Sequence, residues 1–536
     1  MKNKFEGIAK LTRFVLRRER LASSLWIVLL SAFSIILAPG LAKIMDAPAR
    51  EALTLTVNNP GMIAMLGPVY GIDHYTAGAL YFNMMVQWMM LTAAVMGILL
   101  VIRHTRNDEE LGRLDLLRAL PVGKFAPLGS VIIVAFLVSA AIALLTGIGI
   151  GLCGVEDMGW NGSLLYGAAI GTAALVFASL AAIFSQLCKT ARGATGMSVA
   201  VLGGFYLLRA AGDIGNETLS YLSPLGLAQR TQAFISNNWY PIVLLLAEAL
   251  VFFGIAAVLN NRRDLRQGLI AEKKGKDHAS RFLRTPYGLA FRLLKMPLWA
   301  WTLGMYVLEA AYGSILGTID IFVQNSEFYS MVIGARPGYS TAQMFVAMVS
   351  SMMALCAVFP VLTMMLRLRT EEKNSCFQNV LSAAVSKYHY FASYLGIAIL
   401  SAFLMEMAVA LGIYSSALAV LDDPGVLPLG HLLLSNLVYV PALLVMLGLC
   451  ALLIAVAPRR VNLIWGYFGF SFLATFIGRI PGIIPDWLRN LTPYTFIPVL
   501  PVDEINWVTL TVLIGIAAAL MAAACVVYRQ RDISAA

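Results

Sequence analysis

RNDEELGRLDLLRALPVGK, residues 106–124, holds eight charged side chains in nineteen positions of a 536-residue chain that is 59% hydrophobic and 13% charged. A soluble domain carries roughly 25% charged residues, so this stretch is a polar island in an apolar chain. A fainter copy, RTEEKNSCFQNVLSAAVSK, begins at Arg369, 263 residues after the first. Other pairs recur at offsets of 263 to 269: Met84 and Met89 with Met348 and Met353, Ser223-Pro224 with Thr492-Pro493, Asn238-Trp239 with Asn506-Trp507, and Arg263-Asp264-Leu265 with Arg531-Asp532-Ile533. Self-similarity at a steady offset marks a duplicated chain.

Around the two copies run apolar stretches of about 20 residues, enough to cross a hydrocarbon core of roughly 30 Å as helix. Twelve are expected, at about 22–42, 78–102, 126–150, 164–187, 194–211, 241–260, 297–319, 342–366, 389–418, 430–457, 461–478 and 507–528. With the N-terminus inside, 32 of the 39 Lys and Arg fall in cytoplasmic tails and loops, where basic residues concentrate. The other seven, Lys43, Arg50, Arg209, Arg230, Arg336, Arg479 and Arg489, fall outside or in span ends. Six spans per half is an even number, so both halves enter from the same side and form parallel repeats. The expected fold is therefore an all-α polytopic membrane protein: twelve transmembrane helices as two parallel six-helix repeats, a pseudo-dimer with a central path. Residues 1–261 make the first half, 262–296 a cytoplasmic linker with an interfacial helix, and 297–536 the second half. Both termini are cytoplasmic.

The net charge of +10 follows from this topology and from contact with membrane lipids, not from a nucleic-acid surface. A cleaved signal is the rival reading of the basic N-terminal segment; retention is expected, because the apolar stretch is too long for an h-region and further spans follow. It is amphipathic, with Phe5, Ile8, Leu11 and Val15 on one helical face, and reads as a helix lying in the membrane interface. The segment before the seventh span has the same character. Longer outer loops are expected at 43–77, 212–240, 320–341 and 479–506, the second and fourth with Pro breaks and interfacial Trp residues.

Catalytic chemistry has no foothold in the pattern. The six cysteines are scattered without a CxxC pair and read as packing thiols, and the five histidines show no metal-ligand spacing. Gly123-Lys124 lacks the upstream glycine and the hydroxyl residue of a phosphate-cradling loop, so no ATP site and no metal site are expected in this chain. No Ser-His-Asp or Cys-His arrangement can be argued.

The opening stretch reads as a short surface helix. Asn107 can cap it, Asp108, Glu109 and Glu110 fill its positively polarised first turn, Leu111, Leu114 and Leu117 are spaced by three, and Pro121 with Gly123 ends it. The second copy has Thr370 as cap and Glu371 and Glu372 in the first turn. Such helices are too short and charged to span, so they sit on the cytoplasmic face between the second and third spans of each half. The plainer reading is a capped connector; recurrence at the same place in both halves favours a part that makes a contact twice.

Arg106-Asn-Asp-Glu-Glu-Leu-Gly-Arg-Leu-Asp-Leu-Leu-Arg-Ala-Leu-Pro-Val-Gly-Lys124 resembles the cytoplasmic segment after the second span in fused, twelve-span ABC-2-type permeases, a type V exporter-like group described as exporters of polyketide antibiotics. The resemblance covers the whole chain. The second copy keeps Arg369, Glu371, Glu372, Val385 and Lys387 but has Ser375, Cys376 and Gln378 where the first has Gly112, Arg113 and Asp115. The resemblance implies that these segments are coupling helices, carried by Arg106, Asp108, Glu109, Glu110, Gly112, Arg113, Asp115 and Pro121, and by Arg369, Glu371, Glu372 and Ser375. It implies two copies of a separately encoded ATP-binding subunit, with ATP and Mg held there and no cofactor in this chain. It also implies a bacterial plasma membrane and a small hydrophobic or amphiphilic substrate; the degenerate second copy departs from the family pattern, so equal docking of the two halves does not follow from it.

The resemblance places the substrate path among the second and fifth spans of each half. Those spans hold Met84, Met85, Met89, Met90 and Phe205, then Met344, Met348, Met352 and Met353, a polarizable set suited to varied apolar ligands, although methionine in a span is more often packing. Glu248, Glu309 and Glu406 are costly within spans and are candidates either for structural hydrogen bonding or for contact with a cationic substrate. The competing function is a proton-coupled secondary transporter of major-facilitator type, which also has two six-span halves. Its glycine-led G-x-x-x-D-R-x-G-R-[RK] loop is missing here, with Glu110-Leu-Gly-Arg113 only a fragment. A lipid-processing enzyme lacks any catalytic constellation.

Overall fold

The computed structural model describes residues 4–44, 60–118, 120–264, 267–270, 278–317, 319–320, 338–373, 376–382, 385–421, 423–477 and 485–531. Within them every regular element is a helix or turn. The chain divides into two compact units, Met1–Lys274 and Gly275–Ala536.

The first unit contains six long helices: α1 (Ile8–Ile44), α2 (Ala77–His104), α3 (Ala126–Leu152), α4 (Trp160–Leu187), α5 (Ala191–Ile214) and α6 (Tyr240–Arg262). α4 is the central element and packs against α2, α3, α5 and α6. Its buried face is built largely from Gly, Ala and Ser, including Ala169, Ala173, Ala174, Ala178 and Ala181. Lipid tails are as apolar as a leucine side chain, so helix association in a membrane depends on close van der Waals approach, which small residues permit.

The second unit contains α7 (Pro286–Gly313), α8 (Thr341–Lys373), α9 (Lys387–Val420), α10 (Val440–Val456, preceded by the short helix Leu429–Leu437), α11 (Leu463–Ile477) and α12 (Trp507–Gln530). Here α9 is central, against α7, α8, α10 and α12, and α10 pairs with α12. The crossing of α7 on α9 turns on Gly412: a Cβ there would stand 2.6 Å from the Tyr306 carbonyl oxygen and 2.9 Å from Glu309 Cβ. Only a residue without a side chain lets the two backbones meet at that point.

Ten helices among the described residues are long and apolar enough to cross a membrane: α1 to α6, α8, α9, the stretch Leu429–Val456, and α12. The remaining expected crossings coincide with α7 and α11. α7 mixes Arg292, Lys295 and Glu309 into its 28 residues, and α11 is 15 residues long.

The N-terminal interfacial helix does not form as a separate element. Ile8–Ile44 is one 37-residue helix, about 55 Å long at a rise of 1.5 Å per residue. Leu11 and Val15 are buried as the amphipathic pattern requires, but the same stripe continues to a buried Glu19, and Phe5 stays exposed. Ahead of the helix, Gly123 and Phe125 donate backbone N–H bonds to the carbonyls of Glu6 (2.9 Å) and Lys4 (3.0 Å), and the Phe5 ring stacks on Phe125 at 5.7 Å. The start of the chain is thus clasped to the end of the charged segment rather than left as a solvated tail. α7 likewise runs from the linker into its apolar part without a break.

At the opposite end of the first unit lie the short helices Pro60–Leu66, Glu217–Tyr221 and Pro224–Gln229. The fully buried Arg209 holds this end, donating to the carbonyls of Ile63 (3.4 Å) and Ala64 (2.5 Å) and pairing with Asp213 at 3.1 Å. Burial pushes the nearby Tyr70 hydroxyl up to about 12, so it stays protonated. In the second unit the corresponding stretch carries Asp486–Arg489 and a 3-10 turn, Pro493–Phe496. Residues 45–59, 321–337 and 479–484 of the expected outer loops lie outside the described residues, as does residue 478 of the expected eleventh span.

Candidate functional site

The opening stretch is not one helix. α2 ends at His104, a five-residue helix covers Arg106–Glu110, Leu111 and Gly112 turn the chain, and a second helix covers Arg113–Arg118. Gly112 has φ +72°, a left-handed backbone that glycine adopts without cost, and its N–H closes the first helix on the Glu109 carbonyl at 3.1 Å. Thr105, not Asn107, stands at the N-terminal boundary, and its side chain makes no capping bond to the short helix. The leucine spacing suggested a continuous helix because periodicity does not register one glycine's backbone preference.

Of the acids expected to face a partner, Asp108 and Glu109 are instead buried in ion pairs, while Glu110 is exposed. The Arg106 side chain is 1% exposed and that of Glu109 is 2%. Glu109 pairs with Arg106 at 3.0 Å and is held bidentately by Arg263, just past the end of α6, at 2.7 and 2.6 Å. Arg263 also donates to the Gln186 side-chain carbonyl on α4 at 2.6 Å. Asp108 receives both Arg18 terminal nitrogens at 2.5 and 2.7 Å and Arg113 at 3.0 Å. Glu19 of α1 pairs with Arg103 at 2.8 Å and faces His104 at 3.2 Å. Glu110 accepts from the Ala191 backbone N–H at 2.8 Å, placing its carboxylate on the N-terminus of α5. The segment thereby ties α1, α2, α5 and α6 together at one end of the unit.

The second unit repeats the clamp. Arg369 and Glu372 pair at 3.1 Å, and Arg531, just past the end of α12, reaches Glu372 at 2.9 Å. The Tyr528 hydroxyl donates to the other Glu372 oxygen at 2.8 Å. Arg369 also donates to the Pro458 carbonyl (3.2 Å) and Arg531 to that of Ile454 (2.7 Å). Glu371 pairs with Arg367 one turn back. Arg106–Glu109–Arg263 and Arg369–Glu372–Arg531 are therefore the same arginine–glutamate–arginine triad, each locking the end of a half's second helix to the end of its last. Thr370 caps nothing: α8 runs unbroken through Arg369 to Lys373. Ser375 lies outside the described residues.

The exposed parts of the two segments differ. In the first, Leu111, Leu116 and Leu120 are exposed, Leu116 at 74%, beside an exposed Pro121 and a half-exposed Arg113; Asp115 is partly buried. In the second, the short helix Cys376–Leu381 buries Phe377 and exposes Gln378 and Asn379. A cleft beside the first tip is lined by Arg106, Glu109, Glu110, Leu111, Gly112, Lys189 and Thr190. Arg106 Nε and one terminal nitrogen have no hydrogen-bond partner, which leaves donors at that cleft for an acceptor.

Of the expected path residues, Met89, Met90, Met344 and Met353 are buried, whereas Met84, Met85, Phe205, Met348 and Met352 are partly exposed. Met89 and Met90 belong to the core of the first unit, and Phe205 packs edge-on against Phe177 at 6.2 Å. Glu248 is partly exposed on α6, and Glu309 and Glu406 are fully buried. Among the described residues no group of three His, Cys, Asp or Glu could hold a metal ion.

Sequence reasoning missed Arg18, Glu19, Arg103, His104 and Tyr528, and it missed the role of the last-helix arginines. Only those arginines left a signal, in the match between Arg263-Asp-Leu and Arg531-Asp-Ile.

Fold and site together define a polytopic all-α membrane protein built from a repeated unit with a charged clamp at the same end of each. A family model described as multidrug efflux system permease Rv1217c, C-terminal domain, matches the chain twice, over residues 14–259 and 283–529, once for each repeat. The multidrug efflux system permease protein Rv1217c of Mycobacterium tuberculosis (strain ATCC 25618 / H37Rv) is 32% identical over 536 residues, spanning 99% of this chain and 96% of that protein. The chain belongs to this family of multidrug efflux system permeases, and the relationship is to that family rather than to the polyketide-exporter group.

Proposed function

We propose that this chain is the membrane subunit of an ATP-driven ABC exporter that moves hydrophobic or amphiphilic compounds, antibiotics and other drugs among them, out of a bacterial cell. It crosses the plasma membrane twelve times with both termini in the cytoplasm. Two copies of a separately encoded ATP-binding protein bind ATP and Mg and dock on the segments 106–121 and 369–384. The observation that carries this reading is the exposed leucine tip standing on a buried triad. A force applied at Leu111–Leu120 passes through Glu109 to Arg106 and Arg263, and so into α2 and α6 at once. Packed ion-paired elements transmit such displacements because they do not deform continuously. Met84, Met85, Met348 and Met352 belong to the substrate path as its adaptable lining, with Phe205 beside them.

Purification of the full chain by an affinity tag from its own host tests the assembly. The expected result is a stable complex with an ATP-binding protein encoded nearby, in a ratio of two ATPases to one permease. A chain that purifies alone after mild solubilisation, and hydrolyses no ATP when mixed with that protein, contradicts the reading.

A further inference from the structure

In the second unit, Glu309 of α7 and Glu406 of α9 are both fully buried, and none of their four carboxyl oxygens has a hydrogen-bond partner. Glu309 borders the α7–α9 crossing, where a Cβ on Gly412 would stand 2.9 Å from its own Cβ; Glu406 lies on α9 about 9 Å before Gly412, and both acids act on Cys356 of α8. The other titratable groups facing them are Tyr312 of α7 and Tyr494 of the 3-10 turn, with Tyr439 next to Tyr494; Tyr306 gives its hydroxyl to Ser415 at 3.1 Å. No cation pairs with either acid among the described residues. A structural acid at membrane depth finds donors, as Glu109 and Glu372 do at the membrane's edge. This pair has none, so it holds protons until a positive charge replaces them.

A second observation says what the positive charge is attached to. Trp301 of α7, Phe359 of α8 and Trp465 of α11 form a continuous aromatic array, with ring centroids 5.3 and 5.0 Å apart, and Phe468 continues it at 6.2 Å. Trp301 and Phe359 are exposed. Trp301 precedes Glu309 by eight residues, about 12 Å along the helix, and Phe359 follows Cys356 by three, so the α7–α8 seam carries one acid and two rings of the array, with Glu406 joining from α9 and Trp465 from α11. Aromatic faces attract cations bearing apolar groups, and the attraction strengthens away from water. In the first unit, α3 stands where α9 stands in the second and carries no acidic residue.

We propose that this seam of the second unit binds a lipophilic organic cation, with Trp301, Phe359 and Trp465 receiving its apolar groups and the Glu309–Glu406 pair supplying the counter-charge. Binding breaks one carboxyl O–H bond: the proton leaves to solvent, the electron pair stays on the carboxylate, and the site's net charge is unchanged. The inference deepens the proposed export function by naming a substrate class, and it rests on the chain's being an efflux permease but not on ATP as its drive.

The test uses the full chain with its ATPase partner in lipid nanodiscs and tetraphenylphosphonium, a permanent cation, as probe. Calorimetry in two buffers of different ionisation enthalpy should show about one proton released per cation bound, with affinity rising as pH rises because protons compete. Glu309→Gln and Glu406→Gln should each weaken binding at least tenfold, and the double substitution should abolish proton release. Trp301→Leu should weaken binding severalfold while proton release per bound cation stays the same. Triphenylphosphine oxide, which is neutral, should bind the native protein and the glutamate variants equally and lose affinity only in Trp301→Leu. Binding without proton release in the native protein overturns the proposal without recourse to any variant, as does equal cation affinity in the double variant. Intact cation binding with no ATP-driven efflux would fault the proposed drive alone; absent binding with intact ATP-driven efflux would fault this site alone.

Discussion

Leu111→Asp combined with Leu116→Asp is expected to lower ATP-dependent efflux at least tenfold while leaving membrane insertion and thermal unfolding unchanged. Both side chains are exposed, so their replacement removes no packing from the permease itself. What it removes is an apolar anchor for a partner, and truncating a central anchor of an interface costs on the order of 2 kcal/mol or more, which is tenfold or greater in affinity. The matching change in the second half, Gln378→Asp with Asn379→Asp, is expected to lower efflux less than twofold. Those positions are already polar, and Phe377, the segment's large apolar side chain, is turned inward. Equal losses from the two halves would show that they are driven equally. Measuring drug efflux and partner affinity for both variants, alongside their melting temperatures, separates docking from folding.

Glu109→Ala and Glu372→Ala should behave in the opposite way, costing stability first. Removing the acid leaves two guanidinium groups buried without a counter-charge, and breaking one partner of a buried pair costs about 3–5 kcal/mol. Both variants should unfold at clearly lower temperature and reach the membrane in smaller amounts. Replacing all three charges of one triad by residues of similar volume, Arg106→Met with Glu109→Leu and Arg263→Met, should recover much of the loss, because no unpaired charge remains. If the single alanine substitutions leave thermal unfolding unmoved, the triads do not hold the helix ends.

The difference between these two predictions corrects a natural inference from the sequence. Asp108 and Glu109 look like docking residues because they are charged, lie in a first turn and precede exposed leucines. Besides the local Arg106 and Arg113, their partners are Arg18 and Arg263, 90 and 154 residues distant, and no local pattern reveals those two pairings. The leucines are the accessible part, and the acids are the fastening beneath them.

What was legible came from pattern and repetition. Apolar runs gave nearly all the long helices because a membrane-crossing segment must be apolar over most of its length. The recurring Arg-x-x-Glu and the matched Arg263 and Arg531 gave the duplication, and the family relationship now covers each half separately. What was not legible depends on tertiary placement. The Leu11 and Val15 stripe read correctly, but its continuation to a buried Glu19 requires Arg103 and His104 on another helix. Glu309 and Glu406 stood out as costly acids from the sequence. That they are neighbours and both lack donors follows only from α7 and α9 crossing at Gly412.

Transport by the reconstituted protein decides the central claim most directly. Liposomes containing the permease and its ATP-binding partner, loaded on the ATPase side with a fluorescent amphiphilic drug, should move it only when ATP and Mg are supplied, and Leu111→Asp/Leu116→Asp should lower that movement at least tenfold. Drug movement by the permease alone, driven by a proton gradient and indifferent to ATP, would contradict the account.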